Sequence, residues 1–461
     1  MSLFEAVRNN KNLIYVDDGD HGQEYPFNEL PLFELPENDH KQLAFLYLDN
    51  SIAAITVFWS FMKSNHAVAL LSPNLQENFK SELERLYNPF YIYDPARSNV
   101  ENYHADILNG ASIFVNKNKK KSKSLINEEI KLLLNTSGTT GSPKFVKLSG
   151  KNLLANAHSI VDYLPVKEDD VTPLNLPIYY SYGLSVLTTN SLKGGKIVCS
   201  NIDVLNRIFW QKMSAYGYTS IAGVPFVYEM LERIGFRKKS YSSLRYLSLA
   251  GGKLDKHILE KFAGYAQENN ISFYAMYGQT EATARMSYVP PEFLINKLGS
   301  IGIPIKDGHF VIDDGNGELC YHGPNVFGGY VSQPSDLETY NQPALLHTGD
   351  LASVDNDGYY YITGRLKRIV KLFGIRINLD EIETIIAARF SNAIKCVGIN
   401  DKILLILLTN NSVDRNELSV YLSDMTKLHP SVIKVDFIDE YPLSQNGKVD
   451  YNKIVELYGT N

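Results

Sequence analysis

The chain has 461 residues, of which 44% are hydrophobic and 21% are charged, and its formal net charge is −6. This length suggests two to four domains, and the composition is ordinary for a globular protein with buried cores. The net negative charge argues against a nucleic-acid partner, which would require a basic surface.

The N-terminal segment, "MSLFEAVRNN", carries charges too early for a signal peptide. The most apolar run, residues 52–62, is too short to span a membrane and predicts a buried helix that begins after Asp49-Asn50-Ser51. The three cysteines, Cys199, Cys320 and Cys396, lie far apart and form no paired motif. They favour a reducing, cytoplasmic compartment.

Strand-like and helix-like segments alternate along most of the chain. The strand-like runs are residues 67–71, 131–135, 195–199, 219–223, 245–251 and 272–278, and an amphipathic helix is predicted over residues 151–164. Such alternation is typical of a layered α/β domain. The basic run at residues 117–123 contains no aromatic residue and is predicted to be a solvated loop.

The stretch "LLLNTSGTTGSPKFVKLSG", residues 132–150, interrupts a strand with hydroxyl-bearing residues, two glycines and a lysine. Glycine amides and hydroxyls can surround an anion, and Lys144 adds positive charge. The spacing differs from the nucleotide-binding loop that leads directly into a helix. Because "KFVKL" alternates and Ser149 is a good helix cap, we predict a strand–loop–strand hairpin over phosphates. From these residues alone, a flexible turn remains an equal alternative.

The pattern changes after residue 364. The segments that follow are predicted as a strand (368–377), a helix (379–390), two strands (393–399 and 403–409), a helix (414–428) and a strand (432–438). They suffice for a separate α+β domain. We therefore predict a large N-terminal α/β domain, residues 1–365, and a small C-terminal domain, residues 366–461.

Five further segments follow residues 136–144 in a fixed order: "YGQTEATARM" (277–286), "GELCYHGPNVFGGY" (317–330), "HTGDL" (347–351), "GRLKRIVKLFGIRINLDEIE" (364–383) and "PLSQNGKVDYNKI" (442–454). Together they resemble the motifs of the adenylate-forming (AMP-binding) superfamily, which includes acyl- and aryl-CoA ligases, luciferases and peptide-synthetase adenylation domains. The resemblance spans about residues 40 to 458. It implies an α/β core domain followed by a small mobile domain.

The resemblance implies an enzyme that activates a carboxylic acid with ATP and Mg²⁺, forms an acyl-adenylate and releases pyrophosphate. It assigns the phosphates to a loop made of Thr136, Ser137, Gly138, Thr139, Thr140, Gly141 and Lys144. Glu281 is expected to bind Mg²⁺, and Thr280 is expected to lie on the α-phosphate. Lys448 is expected to contact the reacting carboxylate and the α-phosphate, where two anions must meet.

The nucleoside is assigned to other positions of the same motifs. Tyr277 and Gly278 are expected against adenine on one side, and Gly251 and Gly252 on the other. Asp350 would accept hydrogen bonds from the ribose hydroxyls, with Arg365 beside it.

In the family, the small domain rotates between two half-reactions. Lys367 occupies the hinge position, and Gly374 is expected to line the channel for the thiol. Tyr180 and Gly183 are assigned to the acyl pocket, because "PIYYSYGLSV" (177–186) matches that motif. Amino-acid-activating members of the family place an aspartate in this segment for the ammonium group of the substrate, and residues 176–187 contain none. The resemblance therefore disfavours an α-amino acid substrate, although a carboxylate elsewhere in the chain could substitute.

We thus expect an acyl-CoA synthetase that joins a small carboxylic acid to CoA. One alternative is transfer to the phosphopantetheine of an acyl carrier protein, since only about 130 residues precede the phosphate loop. A luciferase-like oxidative enzyme and a non-catalytic nucleotide-binding protein of the same fold are further alternatives. The chain retains Glu281, Asp350 and Lys448, which argues against the non-catalytic one.

Overall fold

A computed structural model describes residues 1–19, 22–36, 40–117, 125–135, 144–372, 375–390, 394–399, 402–409, 413–426, 428–443 and 449–458. The chain forms two compact units. The core unit contains most of the chain up to Phe310 and also Tyr321–Leu346, and the C-terminal unit contains Val311–Cys320 and His347–Asn461. Residues 347–365 are thus grouped with the C-terminal unit. The predicted domain boundary at 365/366 marks where the rotating part of the chain is expected to begin, and it stays a prediction.

The helices in the described residues are α1 (Leu3–Arg8), α2 (Ile52–Lys63), α3 (Glu77–Tyr87), α4 (Gly150–Tyr163), α5 (Ser181–Lys193), α6 (Arg207–Tyr216), α7 (Pro225–Arg233), α8 (Lys256–Glu268), α9 (Leu379–Phe390), α10 (Arg415–Thr426) and α11 (Tyr451–Tyr458).

The strands in the same residues are β1 (Leu13–Asp17), β2 (Gln23–Pro26), β3 (Leu43–Tyr47), β4 (Ala67–Leu71), β5 (Tyr91–Tyr93), β6 (Tyr103–Leu108), β7 (Ala111–Asn116), β8 (Ile130–Asn135), β9 (Phe145–Ser149), β10 (Val171–Pro173), β11 (Gly195–Cys199), β12 (Ser220–Gly223), β13 (Tyr246–Leu249), β14 (Ser272–Tyr277), β15 (Ser287–Val289), β16 (Ile303–Pro304), β17 (His309–Ile312), β18 (Glu318–His322), β19 (Tyr330–Val331), β20 (Leu346–Val354), β21 (Tyr360–Arg365), β22 (Ile369–Leu372), β23 (Ile375–Asn378), β24 (Ile394–Ile399), β25 (Ile403–Leu408) and β26 (Ile433–Phe437).

The largest sheet of the core unit has the strand order β19-β9-β8-β4-β3-β5-β7-β6. Its centre is parallel and its margins are antiparallel. Strands β8 and β9 pair antiparallel, with Asn135 opposite Phe145, so the predicted hairpin around residues 136–143 is confirmed in its two strands. The loop itself lies outside the described residues, as does most of the basic run at 117–123.

Two more sheets belong to the core unit. One has the order β10-β11-β1-β2, and the other has the order β12-β13-β14-β15-β16. In the second, β12, β13 and β14 are parallel. The carboxyl ends of parallel strands are where open α/β sheets place their ligands, so this sheet presents the candidate site.

The predicted helices of the core unit are confirmed with their caps. Helix α2 begins after Ser51, whose side chain accepts a hydrogen bond from the amide of Ala54. Helix α4 begins after Ser149, which forms a reciprocal capping box with Asn152. These caps satisfy amides that the first helical turn leaves unpaired.

The C-terminal unit differs from its prediction in one strand. Residues 368–377, expected as a single strand, form the antiparallel hairpin β22–β23, in which Leu372 lies opposite Ile375. The two intervening residues, which are not described, include a glycine, and such short glycine-containing connections favour hairpins over continued strands. Helix α10 begins at Arg415 because the Asp414 carboxylate accepts hydrogen bonds from the amides of Asn416 and Glu417.

A buried cation organises the start of the C-terminal segment. Arg368 donates to the Asp380 carboxylate at 2.9 Å and to the carbonyl of Cys396 at 2.7 Å, and it also pairs with Glu383. Its guanidinium lies 3.8 Å from the centre of the Tyr451 ring. These contacts tie Arg368 to α9, β24 and α11.

Among the described residues, no helix has the length and apolar character needed to cross a lipid bilayer. The three cysteines are all buried and unpaired.

The buried His66 makes the core unit sensitive to acid. Its Nδ1 accepts a hydrogen bond from the amide of Gln42 at 3.3 Å. Burial, reinforced by the nearby Lys131 and Lys41 cations, lowers the pKa of His66 from 6.5 to about 4. Below pH 6.5 His66 becomes protonated in the unfolded chain, whereas it stays neutral in the folded chain until the pH approaches 4. The free energy of unfolding should therefore fall by about 3 kcal/mol as the pH drops to 4.

We predict that His66→Asn, which keeps an acceptor but cannot be protonated, reduces this pH dependence. Urea midpoints of wild type and variant at pH 6.5 and pH 4 measure it. Equal slopes for both proteins would show that His66 is not the group responsible.

Candidate active site

The candidate site of the core unit lies where β12, β13 and β14 end. Gly223 ends β12, Gly251 follows β13 by two residues, and Tyr277 ends β14. The three strands are neighbours in register, so these residues lie along one edge of the sheet. The sequence motifs that contain them are far apart, and the sheet brings them together.

Different contacts explain why glycine occupies positions 251 and 252. Gly251 has a φ of +88°, and a Cβ there would lie 2.8 Å from the hydroxyl oxygen of Tyr180. At Gly252 a Cβ would lie 3.1 Å from the Cγ of Pro225. Close contacts with the protein's own side chains thus explain both glycines, and their predicted contact with adenine stays a prediction.

Tyr277 is half-buried and lies next to Phe310, with 6.3 Å between ring centroids. The next residue, Gly278, admits no side chain, because a Cβ would lie 1.7 Å from the carbonyl oxygen of Ala284. The chain therefore folds back on itself directly after the predicted adenine platform.

This reversal, residues 278–285, is here named the YGQTE turn. Thr280 and Glu281 lie in a short 3₁₀ helix, Thr280–Ala282, and Thr283 follows with a φ of +66°. The buried Asn325 amide donates to the carbonyls of Ala282 and Arg285, both at 2.9 Å. A positive φ in a β-branched residue is strained, and these hydrogen bonds help to hold it.

Glu281, the predicted magnesium ligand, is half-buried. Its Oε1 accepts a hydrogen bond from the hydroxyl of Tyr330 at 2.9 Å. Burial and the Glu281 charge raise the pKa of Tyr330, so this hydroxyl stays a donor. Tyr330 orients the carboxylate as an outer-shell partner orients a metal ligand. It was not among the predicted site residues, although it ends the "GELCYHGPNVFGGY" segment.

The predicted acyl-pocket residues lie at the start of α5. Tyr180 precedes the helix, and its hydroxyl faces the space beside Gly251. Burial raises the pKa of Tyr180. Gly183 packs against main chain, since a Cβ there would lie 2.1 Å from the carbonyl oxygen of Pro177. The contact explains a glycine at 183 by close backbone approach, and its role in lining the pocket stays a prediction.

Arg285, at the end of the YGQTE turn, is buried with 4% of its surface exposed. Its guanidinium lies 3.9 Å from the centre of the Tyr182 ring. Sequence reasoning missed it, although "YGQTEATARM" contains it. A cation inside an otherwise apolar segment such as "ATARM" was the available signal.

The C-terminal unit contains Asp350 and Arg365, the residues predicted for ribose. They lie opposite each other on β20 and β21, and Arg365 Nε donates to Asp350 Oδ1 at 3.1 Å. Asp350 is 6% exposed. The structure therefore brings together the two groups that the motifs had placed 15 positions apart.

The Thr348–Asp350 segment is held by Glu318, another residue that sequence reasoning missed. Glu318 Oε1 accepts from the amide of Gly349, and Oε2 lies 2.9 Å from Nδ1 of His347. Thr348 donates to the carbonyl of Leu319 at 2.6 Å. The "GEL" and "TGD" segments thus support one another within the unit.

The remaining predicted residues are only partly described. Lys367 is exposed in a 3₁₀ helix, Leu366–Arg368, and Lys144 is exposed just before β9. Outside the described residues lie Thr136, Ser137, Gly138, Thr139, Thr140, Gly141, Gly374 and Lys448.

The chain was compared with known proteins. The family model of the AMP-binding enzymes matches residues 39–331. A 2-succinylbenzoate–CoA ligase of Bacillus cereus (strain Q1) is 29% identical over 375 residues, which cover 77% of this chain and 74% of that protein. The oxalate–CoA ligase of Arabidopsis thaliana is 30% identical over 270 residues, covering 55% of this chain and 52% of that protein.

Two solved structures share the fold. An o-succinylbenzoate coenzyme A synthetase from Bacillus subtilis, in complex with AMP, superposes with a TM-score of 0.76 at 20% identity, over 98% of this chain and 97% of that chain. ATP-bound MatB from Rhodopseudomonas palustris superposes with a TM-score of 0.77 at 19% identity, over 100% and 99%. The predicted fold class, a large α/β domain with a smaller C-terminal domain, is confirmed.

We predict opposite effects of alanine at two glycines of the core unit. Gly278→Ala should lower the free energy of unfolding by about 2 kcal/mol or more, because its Cβ would overlap the main chain of Ala284. Gly264→Ala, on α8 where a Cβ meets nothing within 4 Å, should raise it by up to about 1 kcal/mol. Denaturant midpoints measure both. A Gly278→Ala protein as stable as wild type would contradict the described YGQTE turn.

Proposed function

This chain belongs to the AMP-binding enzyme family, and on that premise we propose that it joins a small carboxylic acid to coenzyme A at the expense of ATP. In the first step, a carboxylate oxygen attacks the α-phosphorus, the bond to pyrophosphate breaks, and an acyl-adenylate forms. In the second step, the sulfur of CoA attacks the acyl carbon and AMP leaves. One observation carries the proposal: Gly251, Tyr277 and Glu281, which the family's motifs assign to the nucleotide and its metal, lie at or just after the ends of the neighbouring strands β13 and β14.

The core unit contributes a flat surface and a fixed carboxylate. Tyr277 stacks on one side of adenine, and the main chain of Gly251 and Gly252 lies against its other side. Glu281, oriented by Tyr330, offers oxygen to Mg²⁺, a ligand type that this ion prefers. Bound Mg²⁺ supplies positive charge to the phosphates. Thr280 adds a hydroxyl donor next to it.

The C-terminal unit contributes Asp350 and Arg365. The Asp350 carboxylate can accept both ribose hydroxyls, and Arg365 already donates to it and can turn to the same sugar. Asp350 is buried but the Arg365 side chain is 64% exposed, so the guanidinium can leave Asp350 for the sugar and return to water.

The acceptor is proposed to be CoA. The matched relatives named above are CoA ligases, and none of those comparisons supports the carrier-protein alternative. The acid is proposed to lack an ammonium group. The segment 176–187 has no carboxylate to pair with one, and a buried guanidinium, Arg285, lies nearby.

In the direct test, the protein is supplied with ATP, Mg²⁺, CoA and a panel of acids, and the pyrophosphate, AMP and acyl-CoA that form are quantified. We expect the three products in equal amounts. Asp350→Asn should raise the KM for ATP by about tenfold or more, because an amide accepts only through one oxygen. Asp314→Asn, at an exposed position of the same unit, is the matched control and should not change it. Pyrophosphate release without any acyl-CoA would redirect the second step to another acceptor. An unchanged KM for ATP in Asp350→Asn would remove Asp350 from the site.

The two steps should respond separately to changes in the C-terminal unit. Because Arg368 is fixed to α9, β24 and α11, backbone rotation must occur before it, and Lys367 is the predicted pivot. Proline fixes φ, so Lys367→Pro should leave acid-dependent pyrophosphate exchange nearly intact and stop thioester formation. Lys448→Ala should reduce pyrophosphate exchange by about a hundredfold and leave thioester formation nearly intact. Each variant is assayed for pyrophosphate exchange and for acyl transfer from synthetic acyl-adenylate to CoA. Equal losses in both assays for either variant would contradict a rotating domain.

A further inference from the structure

Arg285 is a buried charge without a counter-ion in the described structure. Its Nε has no hydrogen-bond partner among the described residues, and no carboxylate of those residues forms an ion pair with it. Arg368, the other buried arginine among the residues whose burial is described, shows the usual arrangement, with two carboxylates and a carbonyl around it. An unpaired buried charge costs several kcal/mol, so this site is built at the expense of stability.

The side chain lines a small cavity in the core unit. The cavity measures about 20 Å³, which is room for one water molecule or for the oxygen of a bound group. Its lining includes aromatic, aliphatic and hydroxyl-bearing residues but no aspartate or glutamate. A second lining residue, Thr189, is 1% exposed, and its hydroxyl also has no partner in the described part of the chain. An unpaired cation and an unpaired donor that line one cavity match the needs of an anion.

The cavity lies against the strands that end at the candidate site. Ala222, Ser248 and Met276 line it, and they lie just before Gly223, Gly251 and Tyr277. Their register places these side chains on one face of the sheet, under α5. Ser248 lies about 10 Å from Gly251 along an extended chain. A compact acid whose reacting end lies near Gly251 can therefore direct its other end toward Arg285.

The surroundings keep Arg285 in place without neutralising it. Its main-chain carbonyl accepts from Asn156 and Asn325, both at 2.9 Å, and its guanidinium stacks on the Tyr182 ring. Tyr182 in turn bonds to the Ser248 carbonyl at 2.8 Å. The Arg285 charge opposes the upward effect of burial on the pKa of Tyr163, Tyr180 and Tyr182, as expected of a guanidinium close to all three phenols. A stacked arginine retains its in-plane donors for an anionic oxygen.

We propose that Arg285 binds a second carboxylate of the substrate, so that the acid activated by this enzyme is a dicarboxylic acid. The inference rests on the proposed function and specifies its substrate class. One carboxylate reacts with ATP, and the other forms a charge-assisted pair with Arg285, with the Thr189 hydroxyl as an additional donor. Arg285 is thereby a specificity-determining residue, because a neutral substrate tail leaves the guanidinium unpaired.

The test compares matched acids on wild-type enzyme and on Arg285→Met, Arg285→Lys and Arg237→Met. Each aliphatic or aromatic diacid is paired with its monoamide and with the monoacid that carries a methyl group instead of the distal carboxylate. Wild type should activate the best diacid at least about tenfold better, in kcat/KM for pyrophosphate release, than either neutral partner.

Arg285→Met should lower kcat/KM about a hundredfold for the diacid and only slightly for the methyl analogue, so the preference for the diacid disappears. Arg285→Lys should retain part of it. Arg237→Met, which removes an arginine paired with Glu232 at the surface of the same unit, should retain all of it.

Two further outcomes separate this inference from the proposed function. If monoacids are activated and diacids are not, the ligase function stands and the role of Arg285 is wrong. Equal loss by Arg285→Met on diacid and methyl analogue would likewise overturn it and make Arg285 a structural residue. If no acid is activated, calorimetric titration of the diacids into wild type and Arg285→Met still decides the matter. The inference requires binding that the variant loses, and equal binding by both proteins would overturn it.

Discussion

The YGQTE turn is the constraint on which the candidate site of the core unit depends. Gly278 must lack a side chain because the main chain of Ala284 passes beside it, and Thr283 is held in the left-handed region. Asn325 fixes the end of the turn through two main-chain carbonyls and is itself held by the Tyr321 hydroxyl at 2.9 Å. Glu281 and Arg285 project from this one segment. The predicted magnesium ligand and the proposed partner of a substrate anion therefore have positions set by the same backbone.

The polar groups of this region have different roles according to whether they are neutral or charged. Neutral amides, those of Asn156 and Asn325, satisfy the main chain of the turn. Their use keeps carboxylates away from Arg285, which would otherwise be neutralised by its own fold. Phenols fill the space around it, and they offer a flat surface for the guanidinium without supplying a charge. Among the described residues, the fold thus leaves a cation unpaired next to apolar surface, a combination that stability alone does not favour and that the proposed binding of a substrate anion would explain.

The C-terminal unit shows the opposite use of an arginine. Arg368 is buried and fully engaged, with Asp380, Glu383 and the Cys396 carbonyl around it, and it connects the start of the unit to its helices. Glu383 in turn accepts from Lys395 and from the amide of Cys396. This network gives the unit a rigid beginning immediately after Lys367. The predicted hinge at Lys367 would lie directly before this network, which would confine backbone rotation to few residues.

The sequence by itself determined the family, through the order of its motifs. It also determined the α/β fold class and most element positions, since the apolar periodicity and the capping residues Ser51 and Ser149 act locally. It also named Asp350 and Arg365, because motif order survives without coordinates. It did not separate β22 from β23, because alternation alone does not say where a chain turns back. Tertiary structure alone decided the partners of Glu281 and of Arg285. Tyr330 reaches Glu281 across 49 positions of sequence, and the lack of a counter-ion for Arg285 within the described part of the chain depends on all the side chains packed around it. Local patterns carry propensity, whereas the pairing of a buried charge depends on which distant side chains the fold brings within reach.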